Sequence, residues 1–197
     1  YPDYTSLETA MRVGDIDALS TWDSEAVAFM KDYPTYGVLL KNESYRSRII
    51  FFNVRKDVLK DKNLRIGLNY LLDKALLLSE APLEGEIMQG PIPSNSWAFN
   101  NQLDYYSYNA EKAAALLSNA GYTKNAETGY FESKDGDILN FTLSYLNNDL
   151  NNRVVDTIVS LFDKEGVVIK PRPLSYNEIS QQVISTRDFE MLLYEIE

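Results

Sequence analysis

The sequence predicts an α/β domain with a mixed β-sheet and helices on its faces, and three observations predict it. Tyr45 to Val54 holds Ile49, Ile50, Phe51 and Phe52 in one β-branched and aromatic run, the pattern of a central strand buried on both faces. From about Lys62 the period changes to a helical one, with Leu64, Leu68, Leu71 and Leu72 on one stripe that Ile66 and Leu76 widen. The same alternation returns near the C-terminus, where a helical stripe of Val154, Val155, Ile158, Val159, Leu161 and Phe162 ends at Gly166 and a strand follows over Val167 to Lys170.

The other elements follow in order. Thr5 or Ser6 is placed to cap a helix that runs through Val13 and stops at Gly14, and Ile16 to Leu19 reads as a brief strand. Ser20, Thr21, Trp22 and Asp23 then stand at the C-terminal end of that strand, where α/β sheets place ligands. Trp22 also suits the core, and Asp23 or Ser24 suits the cap of a helix over 24–32. Tyr36 to Leu40 is a further strand, and Asn42, Glu43 and Ser44 turn the chain into the central strand. Tyr45, Arg46 and Arg48 open that strand. Arg46 or Arg48 could pair with a ligand carboxylate through a guanidinium fork, although such residues are more often solvated edge charges.

Residues 81–104 form a long loop with Pro82, Gly85, Gly90, Pro91 and Pro93 and no sustained period. Its Trp97 and Phe99 read first as anchors that pin the loop to the core, and Trp97 is also a candidate cleft residue. Asn109 caps a helix with Ala113, Leu116, Leu117 and Ala120 on its apolar face and Gly121 as its stop. Phe131, the turn at Asp135, Gly136 and Asp137, and Ile138 to Leu146 read as a β-hairpin. The acids there do not make a calcium loop, because Lys134, Ile138 and Leu139 break the alternation of ligands. Asp149 or Asn151 starts the next helix, Ser175 caps a short one reaching about Ser185, and Asp188 to Tyr194 is the last strand.

Composition narrows the chemistry. The 197 residues carry 19 Lys and Arg against 29 Asp and Glu, a net charge of −10, which repels phosphate backbones, so no nucleic acid partner is expected. The sequence has no Cys and no His, which removes thiolate nucleophiles, disulfides, imidazole bases and most zinc sites; no metal and no cofactor is expected. The many acids show no spacing that singles out a catalytic pair, so the chain is not expected to be an enzyme. No apolar run reaches the roughly 18 residues of a membrane span, and both ends of the sequence read as cut from a longer chain.

Several phrases carry a family resemblance. F-N-V at Phe52 to Val54 with L-R-I-G-L-N-Y-L-L-D-K at Leu64 to Lys74, G-P-I-P-S-N-S-W at Gly90 to Trp97, and Y-N-A-E-K-A-A-A-L-L-S-N-A-G-Y at Tyr108 to Tyr122 resemble the family 5 extracellular solute-binding proteins of ABC transporters, the oligopeptide- and dipeptide-binding group. The Ser6 to Leu19 phrase, G-V-V-I-K at Gly166 and D-F-E-M-L-L-Y at Asp188 extend the resemblance over nearly the whole chain. Gly67 departs from the family's usual alanine, and glycine weakens a helix by about 1 kcal/mol.

The resemblance implies the larger C-terminal lobe of a two-lobed, periplasmic-binding-protein-like fold, with residues 1–197 as a single lobe excised from a longer chain. It implies an extracytoplasmic component of an ABC importer that holds oligopeptides between hinged lobes and delivers them to the permease, in the periplasm or as a cell-surface lipoprotein. Ser20, Thr21, Trp22, Asp23, Tyr45, Arg46 and Trp97 are the candidate cleft residues, and the expected partners are an oligopeptide or other small solute, the missing N-terminal lobe and the ABC permease, with a monomeric state. In relatives the acid that receives the peptide's ammonium lies just beyond the last strand; Glu195 and Glu197 do not match its motif, so the isolated lobe is expected to bind peptide weakly or not at all. The alternative is a lobe repurposed as a protein-interaction or sensory module, with Tyr105, Tyr106 and Tyr108 as contact residues, or one that binds a non-peptide solute. Nickel and haem, bound by some relatives, are disfavoured within this lobe by the absence of His and Cys.

Overall fold

A computed structural model describes residues 1, 4–20, 28, 30–32, 47–81, 85–88, 90–92, 94, 96–100, 102 and 105–196. The chain divides into two compact units, Tyr1–Glu43 and Ser44–Glu197.

In the first unit, helix α1 spans Tyr4–Val13. Thr5 and Ser6 therefore lie inside the helix and do not cap it. Gly14 ends it as expected, with φ 80°, and the Asp15 amide turns back onto the Ala10 carbonyl at 2.8 Å. Residues 16–19 are irregular and form no strand, since Asp17 interrupts a short apolar run that has no ladder partner among the described residues. The helix expected over 24–32 is helical at Ala28 and at 30–32, and Met30 is buried. Its start, the strand at Tyr36 to Leu40 and the turn at Asn42 to Ser44 lie outside the described residues.

The second unit is built on a mixed four-stranded sheet. Its strands are β1 (Ser47–Phe52), β4 (Asn140–Leu146), β5 (Val168–Leu174) and β6 (Met191–Ile196), ordered β1-β6-β4-β5. β4 runs parallel to both β5 and β6, while β1 is antiparallel to β6 with Ser47 opposite Ile196 and Phe52 opposite Met191. Among the described residues β1 thus stands at the end of the strand order and not at its centre, and Phe51 is 37% exposed. A continuous apolar run signals apolar neighbours above and below a strand; it carries no information on whether a second strand lies beside it. The central position belongs to β4, whose Phe141, Leu143 and Tyr145 point into the core.

Helices α2 (Lys62–Leu71), α3 (Lys74–Glu80), α4 (Ala110–Asn119) and α5 (Asp149–Glu165) follow from caps the chain supplies itself. Asp61 accepts from the Asn63 and Leu64 amides, Asn109 from Lys112 and Asn148 from Asn151. The single helix expected from Lys62 past Leu76 is two, because Asp73 accepts from the Ala75 and Leu76 amides and restarts the chain after Leu72. Leu64 and Leu68, Ala113 and Leu117, and Val154, Val155 and Ile158 bury one face of the sheet together with Phe141, Leu143 and Leu193. Each such leucine or isoleucine contributes about 1.5 to 3 kcal/mol by leaving water.

The crossover from β4 through α5 to β5 runs one way along the sheet, and the return from β5 to β6 runs the other way past β4. Right-handed crossovers in opposite directions lie on opposite faces. The return segment, a short helix α6 (Tyr176–Glu178) leading into a π-helical stretch over Ile179–Ile184, accordingly buries Ile179 and Val183 against Leu174 and Leu192 in a separate small cluster. An ordinary helix was expected through Ser185; the structure instead bonds the Ser185 amide to the Ser180 carbonyl, five residues back.

Two further strand expectations change at their ends. β5 continues past Lys170 through Pro171 and Pro173, which an edge strand tolerates because a proline needs no ladder donor on its open side. β6 starts at Met191 and not Asp188, because buried Asn53 takes the Arg187 and Phe189 carbonyls through its Nδ2 at 2.9 and 2.7 Å. The expected hairpin at 131–146 is reduced to a bridge between Glu132 and Ile138, with β3 (Phe131–Glu132) pairing chiefly with β2 (Thr123–Lys124). Gly136 takes the turn with φ 85°.

Candidate functional site at the carboxyl edge of the sheet

Adjacent strands β4 and β5 send their connections to opposite faces of the sheet, a switch point of the kind at whose carboxyl ends α/β sheets bind ligands. The sequence there is Asn147, Asn148, Asp149, then Asn151 and Asn152 after β4, and Ser175 and Tyr176 after β5. The Asn147 amide donates to the Leu174 carbonyl at 2.8 Å and joins the two loops. Asn148 caps α5, Asn151 Nδ2 donates to the Leu146 carbonyl at 2.9 Å, and Asn152 Nδ2 donates to Asn147 Oδ1 at 3.1 Å. Asn152 Oδ1 is buried and accepts nothing.

On the β5 side Ser175 and Glu178 form a capping box, the serine hydroxyl receiving the Glu178 amide while the carboxylate accepts from Ser175 N and Oγ at 2.8 and 2.7 Å. Those bonds, with Arg172 nearby, hold the Glu178 carboxyl below its ordinary range. Tyr176 stands clear of the sheet, 67% exposed. Tyr145, one residue before the end of β4, is buried, and burial with the charge of Asp156 pushes its phenol up, so it stays neutral. At the other end of this edge Arg48 donates from Nη2 to Glu195, its direct cross-strand partner. The edge thus offers amides, hydroxyls, one guanidinium and aromatic faces, which is a set for binding and not for bond making.

Of the seven candidate cleft residues, Ser20 and Trp97 are described. Ser20 is exposed in the first unit, and Trp97 is 98% exposed on the long loop. That exposure overturns the anchoring role for Trp97. Phe99 does pack, lining a small niche of about 80 Å3 with Ile92 and Tyr105. A larger open groove of about 490 Å3 runs along α1 past Thr5, Thr9 and Val13; neither concavity includes a residue of the carboxyl edge. Thr21, Trp22, Asp23, Tyr45 and Arg46 lie outside the described residues. Asn147, Asn152 and Tyr176 were missed. The signal that could have found them is the run of four asparagines directly after a strand, where a solvated loop needs no more than one for a cap.

The phrases that carry the family resemblance have structural duties. Arg65 Nη1 donates to the Leu59 and Lys60 carbonyls at 2.7 and 2.8 Å, and Lys74 Nζ donates to the Asn69 and Tyr106 carbonyls at 3.1 and 2.8 Å, its pKa lowered by burial. Tyr70 is buried edge-to-face against Tyr106, with centroids 5.3 Å apart.

A mixed sheet with a switch point and a carboxyl edge rich in polar groups is the architecture of a small-solute-binding module. Residues 1–196 match the family described as bacterial extracellular solute-binding proteins, family 5 Middle, and the chain belongs to that family. It is similar to Heme-binding protein A of Haemophilus influenzae, 28% identical over 177 residues that make up 89% of this chain and 30% of the relative. It is similar also to Oligopeptide-binding protein AppA of Bacillus subtilis, 25% identical over 138 residues, 68% of this chain and 25% of the relative. Among solved structures, NikZ from Campylobacter jejuni in complex with Ni(L-His) aligns with 97% of this chain and 37% of its own, at 28% identity and a TM-score of 0.72. HbpA2 from Haemophilus parasuis aligns with all of this chain and 37% of its own at a TM-score of 0.78, and at 21% identity it shows the shared fold. The chain spans 30% or less of these two curated relatives. The proteins it matches are binding proteins and not enzymes.

Proposed function

We propose that the chain is part of the extracytoplasmic receptor of an ABC importer, that the receptor binds oligopeptides, and that it hands them to the membrane permease. The observation that carries the peptide reading is the donor and acceptor set at the carboxyl edge. Exposed Asn147 supplies a side-chain amide and Tyr176 a phenol in water, groups that match a peptide main chain, and the 197 residues supply no His or Cys to ligate nickel or iron. Trp97, nearly all of its surface in water, offers an aromatic face to a peptide side chain. AppA, by its name, binds oligopeptides, and its resemblance to this chain supports the same assignment.

A second reading, haem as the solute, is favoured by the similarity to Heme-binding protein A over 89% of the chain. Thermal unfolding of the complete protein separates the two. A mixed oligopeptide pool at about 100 times Kd stabilises the folded state by about 2.7 kcal/mol, a rise of several degrees. A rise with peptides and none with haemin is the expected result; a rise with haemin alone replaces the peptide reading with the second one.

A further inference from the structure

Arg48 is the one charged group of the carboxyl edge whose bonding the described fold leaves unfinished. Its guanidinium enters the edge from the second residue of β1, and Nη2 donates to Glu195 in direct register across the ladder to β6. Its Nε is buried and has no acceptor among the described residues. A guanidinium is a rigid fork whose Nε and Nη donors match the two oxygens of one carboxylate. Glu195 accepts from a single arm, so the pair is monodentate where a bidentate one is available. A strut that fixed the strand register would need no more than this cross-strand contact, and that role leaves a desolvated donor without purpose. The partners also differ in exposure. The Arg48 side chain keeps 19% of its surface in water and that of Glu195 keeps 40%, so the glutamate is the side free to swing away.

We infer that Arg48 binds a carboxylate of the transported solute, with Glu195 as a tethered competitor that occupies one arm until the ligand arrives. This rests on the reading of the protein as a solute receptor. The ligand's carboxylate takes the Nε and Nη pair, Glu195 moves to solvent, and the guanidinium exchanges one bond for two. Peptides end in such a group and haem carries two propionates; the shared chemistry is the carboxylate.

The test uses the complete protein and two ligand pairs in calorimetric titration: a tetrapeptide as free acid and as C-terminal amide, and haemin and its dimethyl ester. The free acid of one pair is expected to bind about 30-fold tighter than its neutral counterpart, as a charge-assisted bond implies, and the pair that shows this identifies the source of the carboxylate. Arg48→Gln is expected to reduce that preference to about threefold or less, and Arg48→Lys, which keeps the charge and loses the fork, to restore only part of it. Glu195→Gln is expected to tighten the free acid severalfold and leave the neutral ligand unchanged. Unfolding curves of the variants confirm that they are folded. An unchanged preference in Arg48→Gln, or equal weakening of both members of a pair, overturns the inference and leaves Arg48 as a register strut. Failure of the wild type to bind any of the four ligands defeats the receptor reading itself, and this inference with it.

Discussion

The two edges of the sheet spend their polar groups differently. At the amino edge of the parallel strands, Asn53 uses all of its side chain, donating twice and receiving the Arg55 amide at 3.1 Å, and its own amide donates to the Glu190 carbonyl. Glu190 in turn accepts from the Thr142 amide at 2.7 Å, and Gly166 passes so close to the Gly129 turn that its carbonyl receives the Phe131 amide. At the carboxyl edge Asn152 Oδ1 and Arg48 Nε are left over, and Tyr176 stands in water. A buried polar atom without a partner costs about 1 to 3 kcal/mol, so the fold is stabilised at one edge and held ready at the other. With the carboxyl edge as the proposed binding site, stability and recognition are separable in this molecule, and substitutions at the two edges should divide accordingly.

The largest effect belongs to the amino edge. Gly166 has φ 89°, and a Cβ there would sit 2.3 Å from the Gly129 carbonyl oxygen, so Gly166→Ala should cost about 3 kcal/mol in urea unfolding. A loss under about 1 kcal/mol would mean the 129–131 turn yields freely. Next, Asn53→Ala removes three hydrogen bonds from a buried site and should cost about 2.5 kcal/mol, with hydrogen exchange accelerated at 187–190 before the rest of the sheet. Tyr176→Ala and Asn147→Ala, at the other edge, should change stability by about 0.5 kcal/mol or less while weakening peptide about tenfold, by titration of the complete protein. A large stability loss from Tyr176→Ala would erase the contrast.

The smallest effect is a pH dependence. The folded-state pKa of Glu178 is lowered by its bonds to Ser175, so its contribution is fully present above the ordinary glutamate pKa of about 4.3 and is lost as pH falls through the lowered folded value. The stability gap between wild type and Glu178→Gln should accordingly exist at neutral pH and close in acid. A gap that does not change between pH 7 and pH 2 would show that the carboxylate form of the capping box contributes nothing.

Much of this was legible in the residues. The helical stripes over Ala113 to Ala120 and Val154 to Phe162, Asn109 and Ser175 as caps, and Gly14 and Gly166 as stops each express a local rule, and the structure obeys them. What failed was set by distant partners. Nothing near Ile49 to Phe52 tells that the partner among the described strands is β6, nearly 140 residues later. Nothing near Asp188 tells that Asn53 will hold those carbonyls out of the ladder. Gly67 is the instructive case: its weakness as a helix former reads from sequence, but its use does not. A Cβ there would meet Leu117 at 3.1 Å, so the glycine lets α2 and α4 approach closely. The candidate site was read at Trp97 and around residues 20–23 and 45–46, whereas the switch point that singles out Asn147 and Tyr176 exists only once the strand order is known.

Pro171 and Pro173 leave the outer rim of β5 without two of the donors that a further strand would need. That rim cannot template addition of a β-segment from another molecule, a standing hazard for any open sheet and an acute one for a partly folded chain. Among the described residues the opposite rim, along β1, has no such safeguard. Among the described residues, strand addition would therefore find its donors along β1 and not along β5.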